Sequence, residues 1–224
     1  MSDAPVPWLA AGDPPAALPD PRRARAEPNG LLAAGGALTP EWLLGAYRRG
    51  IFPWFSAGQP ILWWSPDPRC VLDPKDFEPS RSLRQSIRNR GYATRIDGDF
   101  ERVIDACAAP REGAHGTWIT PSMRRAYLEL FRLGHAHSVE TWQGGELVGG
   151  LYGVRVGALF CGESMFSHGR DASKVAFARL VEHARETGIG LIDCQLPTPH
   201  LLSLGARTVP REHFLEVIRG LGEG

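Results

Sequence analysis

Two polar residues that could take part in acid–base chemistry interrupt a short apolar stretch near the end of the chain. In "GLIDCQLPTPHLLSLGA", residues 190–206, Asp193 and Gln195 break a run that otherwise resembles a buried strand. Residues two apart on a strand share one face, so these two side chains are predicted to point the same way. An ionised carboxylate is costly to bury unpaired. Asp193 therefore either pairs with an arginine beside a turn-capping amide or opens onto a site, and the residues alone favour neither interpretation.

A second carboxylate closes another apolar run. Glu163 follows "ALFCG" and precedes "SMFS" at the predicted end of a strand. It could hold a cationic amine, or it could be an ordinary residue at a strand end that pairs with an arginine at the surface. From the sequence alone these two interpretations are about equal.

Composition indicates an ordinary soluble globular protein rather than one that covers nucleic acid through a high positive charge. The 224 residues carry no formal net charge, with 43% hydrophobic and 22% charged residues, enough for one large domain or two small ones. Zero net charge argues against nucleic-acid binding by bulk electrostatics alone but permits a local basic patch. Arginines, which could contact phosphates, occur in two runs: Arg22, Arg23 and Arg25, then Arg81, Arg84, Arg88 and Arg90. Taken alone, each run is more readily explained as solvated surface.

Cysteine spacing and hydropathy argue against a metal site, a disulfide framework and a membrane segment. Cys70, Cys107, Cys161 and Cys194 are scattered without ligand or disulfide spacing, so neither a metal site nor a disulfide framework is expected. The sequence has no apolar run of 18 residues and no basic-then-apolar leader. We therefore expect a cytoplasmic, monomeric protein without a membrane partner.

The pattern along the chain predicts an α+β fold in three parts. Residues 1–28 are broken by proline and are expected to form an extended or partly disordered arm. Residues 29–91 are expected to form a small N-terminal α/β domain rich in aromatics. Residues 92–224 are expected to form an acyltransferase-like catalytic domain with a central mixed sheet.

The second half of the chain follows the element order of one acyltransferase fold. Three antiparallel strands within residues 137–164, a helix over 171–188, the strand of Asp193 and a last helix are compatible with the GCN5-related N-acetyltransferase fold. Those enzymes cradle the pyrophosphate of acyl-CoA in a glycine-containing loop, and "SMFSHGRDASK" has no such loop. If the fold transfers acyl groups, its carrier is therefore not expected to be CoA.

Several motifs in order carry a resemblance to one family. They are "EPNGLLAAGG", "GIFPWFS", "ILWWSPDPR", "GTWIT", "GHAHSVE", "LVGGLYGV", "FCGESMFS", "DASK", "LIDCQ" and "HLLSLGA". Together they resemble the bacterial leucyl/phenylalanyl-tRNA–protein transferases from about residue 19 to residue 218. The departures are small: His168 replaces a frequent arginine, and "QLPTPH" has an extra proline.

The resemblance implies transfer of Leu or Phe, with Met as a weaker donor, from aminoacyl-tRNA to another protein. The acceptor is the α-amine of a protein that begins with Arg or Lys, and the product is marked for degradation through the N-degron pathway. Because the tRNA ester is already activated, no metal and no organic cofactor are implied.

The resemblance also implies roles for particular residues. It implicates Asp193, Gln195 and Glu163 in catalysis; since an amide is a poor base, we expect Asp193 to take the proton, directly or through water, with Gln195 positioning the amine. The donor side-chain pocket is expected at Leu151, Phe160, Met165, Phe177, Leu180 and Ile192. Tyr47, Trp54, Trp118 and Tyr127 match aromatic positions near the tRNA 3′ end, where aromatic rings stack on bases.

Two other functions compete with this one. A CoA-dependent N-acetyltransferase would use the same fold but needs the missing pyrophosphate loop. A non-catalytic RNA-binding module would account for the aromatics and arginines, but it leaves Asp193 and Gln195 without a role.

Overall fold

Two β-sheets organise the chain in the computed structural model, which describes residues 5–110 and 117–221. Within these ranges the strands are β1 (Trp8–Leu9), β2 (Leu31–Gly35), β3 (Phe52–Pro53), β4 (Leu62–Trp64), β5 (Arg69–Leu72), β6 (Ala93–Ile96), β7 (Ala136–Gln143), β8 (Glu146–Val156), β9 (Leu159–Ser167), β10 (Leu191–Gln195) and β11 (Arg207–Val209). The helices are α1 (Pro40–Tyr47), α2 (Arg81–Asn89), α3 (Phe100–Ala108), α4 (Pro121–Arg132), α5 (Ala172–Thr187), α6 (Pro199–Ser203) and α7 (Arg211–Leu221).

The helices begin and end where the capping residues in the sequence predict. Both α1 and α4 follow a threonine and carry proline at their first position. The Thr120 hydroxyl accepts a hydrogen bond from the Met123 N–H at 3.3 Å, which satisfies one free amide of the first turn of α4. Helix α5 ends at Gly188, whose φ of 75° is the left-handed conformation that glycine adopts without strain.

The large sheet confirms the predicted α+β class with a mixed sheet. Among the described residues its strand order is β11-β5-β10-β9-β8-β7-β6, with β9 and β10 parallel and the other neighbours antiparallel. Helices α3 and α4 pack on one face, and α5, backed by α2, packs on the other. None of the helices in the described ranges is both long and apolar enough to cross a membrane.

The small sheet carries the N-terminal arm. Its order is β1-β2-β4-β3 in the described part of the chain, and β1 runs parallel to β2. The described residues of the arm are irregular but packed: Leu9 and Leu18 are buried in the main core. Proline prevents regular hydrogen bonding here, while the apolar side chains still find a surface to cover. Arg22 then binds Glu212 of α7 through two nitrogens at 2.8–2.9 Å.

The change from one sheet to the other falls ahead of the boundary predicted at residue 91. Strand β5 leaves the small sheet behind and pairs with β10 and β11 in the large one. Helix α2 packs on α5 and therefore also belongs to the layers of the large sheet. The chain changes sheets between β4 and β5, a step that depends on pairing with strands more than 100 residues away in sequence.

One glycine lets α5 approach the large sheet. A Cβ added at Gly149 of β8 would lie 2.6 Å from the Cβ of Ala172 and 2.8 Å from its carbonyl carbon. Such separations are too short for carbon atoms, so any side chain at this position would push the start of α5 away from the sheet.

We predict that Gly149→Ala destabilises the protein by about 1–3 kcal/mol, because an extra methyl group must displace the backbone of α5. Urea denaturation followed by circular dichroism measures this. Gly12→Ala is the matched control, since a Cβ there has nothing within 4 Å. Equal unfolding midpoints for the two variants would contradict the prediction.

Candidate active site

The cavity of the large sheet lies where two parallel neighbours part. Strand β10 pairs with β9 from Leu191 opposite Leu159 to Asp193 opposite Cys161, and in the described chain this pairing goes no further. Strand β9 nevertheless continues to Ser167, so its last residues lie beside an opening. The opening is a cavity of about 950 Å³, a size common for ligand sites.

Apolar side chains form one wall of this cavity. Of the predicted donor pocket, the residues that line the cavity are Leu151, Met165, Phe177, Leu180 and Ile192. Phe160 does not line it, which corrects the prediction for that residue. It sits opposite Ile192 where β9 and β10 are still paired, and its ring is buried in the hydrophobic core.

Asp193 is buried against an arginine rather than exposed to the cavity. The Arg69 Nε donates to Asp193 Oδ1 at 2.8 Å, and Arg69 Nη2 donates to Oδ2 at 2.7 Å. Both side chains are 1% exposed. The arginine pair, one of the two interpretations left open by the sequence, is therefore present. With both oxygens engaged, Asp193 is badly placed to receive a proton from a substrate, contrary to the expectation from its residue type.

Gln195 does line the cavity, because the strand alternation breaks at this residue. Its φ of 56° lies in the left-handed region, and the pairing with β5 shifts register between Asp193 and Gln195. The prediction that the two side chains share a face is therefore wrong. The Gln195 N–H donates to Asp193 Oδ1 at 3.0 Å, so the buried carboxylate holds the backbone that presents the amide.

Glu163 is the carboxylate at the cavity. Tyr127 donates its hydroxyl to Glu163 Oε2 at 2.6 Å, and the Tyr47 hydroxyl lies 2.7 Å from that of Tyr127. The residue keeps part of its surface at the cavity, but its carboxyl group is enclosed, and no described protein group bonds Oε1. Burial raises the pKa of Glu163 to about 7, although both tyrosine hydroxyls act to lower it.

The four aromatic residues predicted near the tRNA end separate into two groups. Tyr47 and Tyr127 are 1% and 0% exposed, so a base cannot stack on their rings, and the stacking interpretation is wrong for both. Their hydroxyls instead support Glu163. Trp118 is half-buried and lines the cavity. Trp54 is exposed, meets Trp64 edge-on at 5.6 Å, and is not part of the cavity lining.

Sequence reasoning missed three polar residues of this region. Tyr152 and His200 line the cavity, and the Tyr152 hydroxyl and His200 Nε2 have no hydrogen-bond partner among the described residues. Desolvation lowers the pKa of His200, which keeps its ring neutral near pH 7. The third is Arg69. A charged residue directly before the apolar run "CVL" is a signal for a buried ion pair, whereas neither cavity residue has a comparable local signal.

The arrangement combines an apolar wall with polar side chains that line the same cavity. Glu163 and Gln195 offer an acceptor and an amide to an incoming amine, while the wall can enclose a hydrocarbon side chain. Such a cavity suits two substrates at once, one apolar and one cationic.

Comparison with known proteins points to one family. The model of the leucyl/phenylalanyl-tRNA protein transferase family matches residues 71–219, and the model of that family's N-terminal domain matches residues 36–67. The leucyl/phenylalanyl-tRNA–protein transferase of Azoarcus sp. (strain BH72) is 60% identical over 93% of this chain and 88% of its own length. That of Azotobacter vinelandii (strain DJ / ATCC BAA-1303) is 59% identical over 90% of this chain and 89% of its own.

Solved structures are more distant. A GCN5-related N-acetyltransferase from Kribbella flavida is similar with a TM-score of 0.43 and 12% identity over 77% of this chain and 61% of that chain. The family models and the relatives near 60% identity decide the assignment. On their strength the chain belongs to the leucyl/phenylalanyl-tRNA–protein transferase family and is an aminoacyltransferase.

Proposed function

We propose that this aminoacyltransferase moves Leu or Phe from the 3′ ester of a tRNA to the N-terminal α-amine of proteins that begin with Arg or Lys. The observation that carries the proposal is Glu163, a carboxyl group enclosed beside a cavity with an apolar wall, whose Oε1 has no hydrogen-bond donor among the described residues. A buried acceptor without a partner favours an incoming N–H group, because its desolvation has already occurred.

The apolar wall is the site for the donor side chain. Leu180, Phe177 and Ile192 supply branched and aromatic surface, and Met165 is flexible enough to adapt to either a branched or a planar side chain. Such a wall separates side chains that differ by one methylene by only about 1–3 kcal/mol. Methionine is therefore a weaker donor rather than an excluded one.

The tRNA end has an aromatic platform at the mouth of the cavity. Trp118 is half-buried and lines the cavity, which suits stacking on the terminal adenine. Stacking of this kind contributes about 1–3 kcal/mol per base. The arginines of α2 are largely exposed and suit contacts with acceptor-stem phosphates, which carry no sequence information.

The acceptor amine must lose a proton before it attacks, since an α-ammonium has a pKa of roughly 8. Glu163 is the better acceptor of the two carboxylates, because Asp193 is engaged by Arg69 while burial raises the pKa of Glu163 to about 7. Gln195 orients the amine. Glu163 takes one proton from the ammonium and releases it to solvent, and the nitrogen then attacks the ester carbonyl carbon. The bond from that carbon to the ribose oxygen breaks, and Glu163 passes the second proton from the attacking nitrogen to the ribose oxygen.

The finer parts of the proposal rest on the resemblance of the motifs. These parts are the Arg or Lys at the acceptor's N-terminus, the marking of the product for N-degron degradation, action as a monomer and a cytoplasmic location. An assay of label transfer from Leu-tRNA to peptides that differ only in their first residue tests the acceptor preference.

We predict that Glu163→Gln lowers label transfer from [¹⁴C]Leu-tRNA to an Arg-starting peptide by about 100-fold or more, since the amide removes the proton acceptor but keeps the shape. Acetyl-CoA as donor is expected to give no product with the parent protein or with Glu163→Gln. Glu146→Gln is the matched control, because Glu146 is an exposed residue at the start of β8. Parent-level transfer by Glu163→Gln would remove Glu163 from the mechanism.

The pH dependence of transfer provides a second prediction. Glu163 acts when ionised, so its limb of the kcat/KM profile rises with pH and is half-complete near pH 7. Tyr127→Phe removes a hydrogen bond that lowers the pKa of Glu163, so this limb should move to higher pH. Stopped-time assays from pH 5.5 to about 9 with one acceptor peptide measure the profile.

The control for this profile is Tyr92→Phe. The Tyr92 hydroxyl donates to the Arg170 carbonyl at 2.8 Å, away from Glu163, so its loss should leave the limb in place. An unshifted limb in Tyr127→Phe, or equal shifts in both variants, would show that the limb does not report Glu163.

We predict that Trp118→Ala raises the KM for Leu-tRNA by about 10-fold, because the adenine loses its stacking surface. Steady-state kinetics at saturating acceptor peptide measures this. Trp8→Ala is the matched control, since Trp8 is 70% exposed at the edge of the small sheet. An unchanged KM in Trp118→Ala would place the tRNA end elsewhere.

A further inference from the structure

Arg69 is the most completely enclosed charged side chain beside the cavity, and its contacts lead to Gln195. It opens β5, is 0% exposed, and donates to both oxygens of Asp193. Strand β5 pairs with β10, with Val71 opposite Asp193 and Cys70 opposite Gln195. The guanidinium therefore lies at the end of β10 where the backbone turns toward the cavity.

Besides Asp193, a backbone carbonyl and two aromatic rings contact the Arg69 guanidinium. Arg69 Nη1 donates to the Gly50 carbonyl at 3.1 Å, which joins it to the segment between α1 and β3. Its central carbon lies 4.9 Å from the centroid of the Phe52 ring and 4.6 Å from that of the Phe214 ring. These contacts come from the small sheet and from α7, so the position of Asp193 is set by parts of the chain that do not touch the cavity.

Gln195 needs such an anchor because its backbone is unfavourable by itself. A residue with a side chain rarely adopts a φ of 56°, since Cβ then crowds the neighbouring carbonyl. The hydrogen bond from the Gln195 N–H to Asp193 Oδ1 supports this conformation, and it is the conformation that brings the amide side chain to the cavity. Asp193 can support it only while its own carboxylate is held still.

We propose that Arg69 is a positioning residue for aminoacyl transfer: through Asp193 it holds Gln195 in the left-handed conformation that presents its amide to the acceptor amine. This inference rests on the proposed role of Gln195 in orienting that amine. Arg69 itself contacts neither substrate. Its planar fork is required, because an ammonium cannot donate in parallel to both oxygens of one carboxylate.

A purely structural ion pair would behave differently from a positioning pair in a double-mutant cycle. If Arg69 acts through Gln195, the effect of changing Arg69 disappears once the Gln195 amide is absent. If Arg69 only stabilises the fold, its replacement costs the same in both backgrounds.

The test compares Arg69→Lys in the parent and in Gln195→Ala, using Leu-tRNA and an Arg-starting peptide. We expect kcat to fall about 10-fold or more in the parent, with the KM for Leu-tRNA within about threefold, and by less than about twofold in Gln195→Ala. Arg211→Lys is the matched control: Arg211 also bridges to the linker before β5, donating to the Ser65 carbonyl at 2.7 Å, but does not contact Asp193. It should leave kcat unchanged in both backgrounds.

A readout without activity separates this inference from the proposed function. The backbone amide resonance of Gln195 in ¹⁵N spectra should move in Arg69→Lys and stay in place in Arg211→Lys. Absence of transfer by the parent would overturn the proposed function while the resonance still decides the role of Arg69. Should Arg69→Lys fail to fold, Phe214→Leu loosens the guanidinium without unpairing a charge and should also shift this resonance. Equal losses of kcat in both backgrounds, or an unmoved Gln195 resonance, would overturn the inference.

Discussion

The structure depends on burying one guanidinium and one carboxylate together without leaving either incompletely bonded. Removing such ions from water costs on the order of several kcal/mol each, and only good geometry with additional hydrogen bonds offsets it. Arg69 and Asp193 meet this condition with two parallel contacts, and Gly50, Phe52 and Phe214 complete the surroundings of the guanidinium. Small sheet, large sheet and C-terminal helix are therefore joined at one point.

The parting of β9 from β10 has the opposite effect, since it creates space rather than filling it. The opening exposes the end of β9 to a cavity, and Glu163 stands there in surroundings of low polarity. Burial alone would push its pKa far up, but the hydroxyls of Tyr127 and Tyr47 partly offset this and bring it to about 7. The two phenols thus keep a buried carboxyl group able to change charge near neutral pH.

Local sequence signals predicted local structure well, whereas the site depends on effects between distant segments. Threonine–proline starts and glycine stops marked the helices because capping is decided within a few residues. The left-handed turn at Gln195 has no such signal, so strand alternation gave the wrong face for its side chain. Tyr47 and Phe160 were assigned to substrate surfaces, but their burial follows from helices and strands that pack on them from elsewhere. Family motifs singled out Glu163 and the apolar residues that line the cavity, which periodicity alone could not distinguish from core.

The insertion of β5 between β10 and β11 has a consequence for how the protein is made. Arg69 and Asp193 are 124 positions apart, so a growing chain carries the guanidinium long before its carboxylate leaves the ribosome. Contacts between residues so distant in sequence form slowly, because a long loop must close before they contribute. A chain that stops before β10 has neither the ion pair nor the cavity. The ion pair and the cavity beside it therefore form only after β10 has been synthesised.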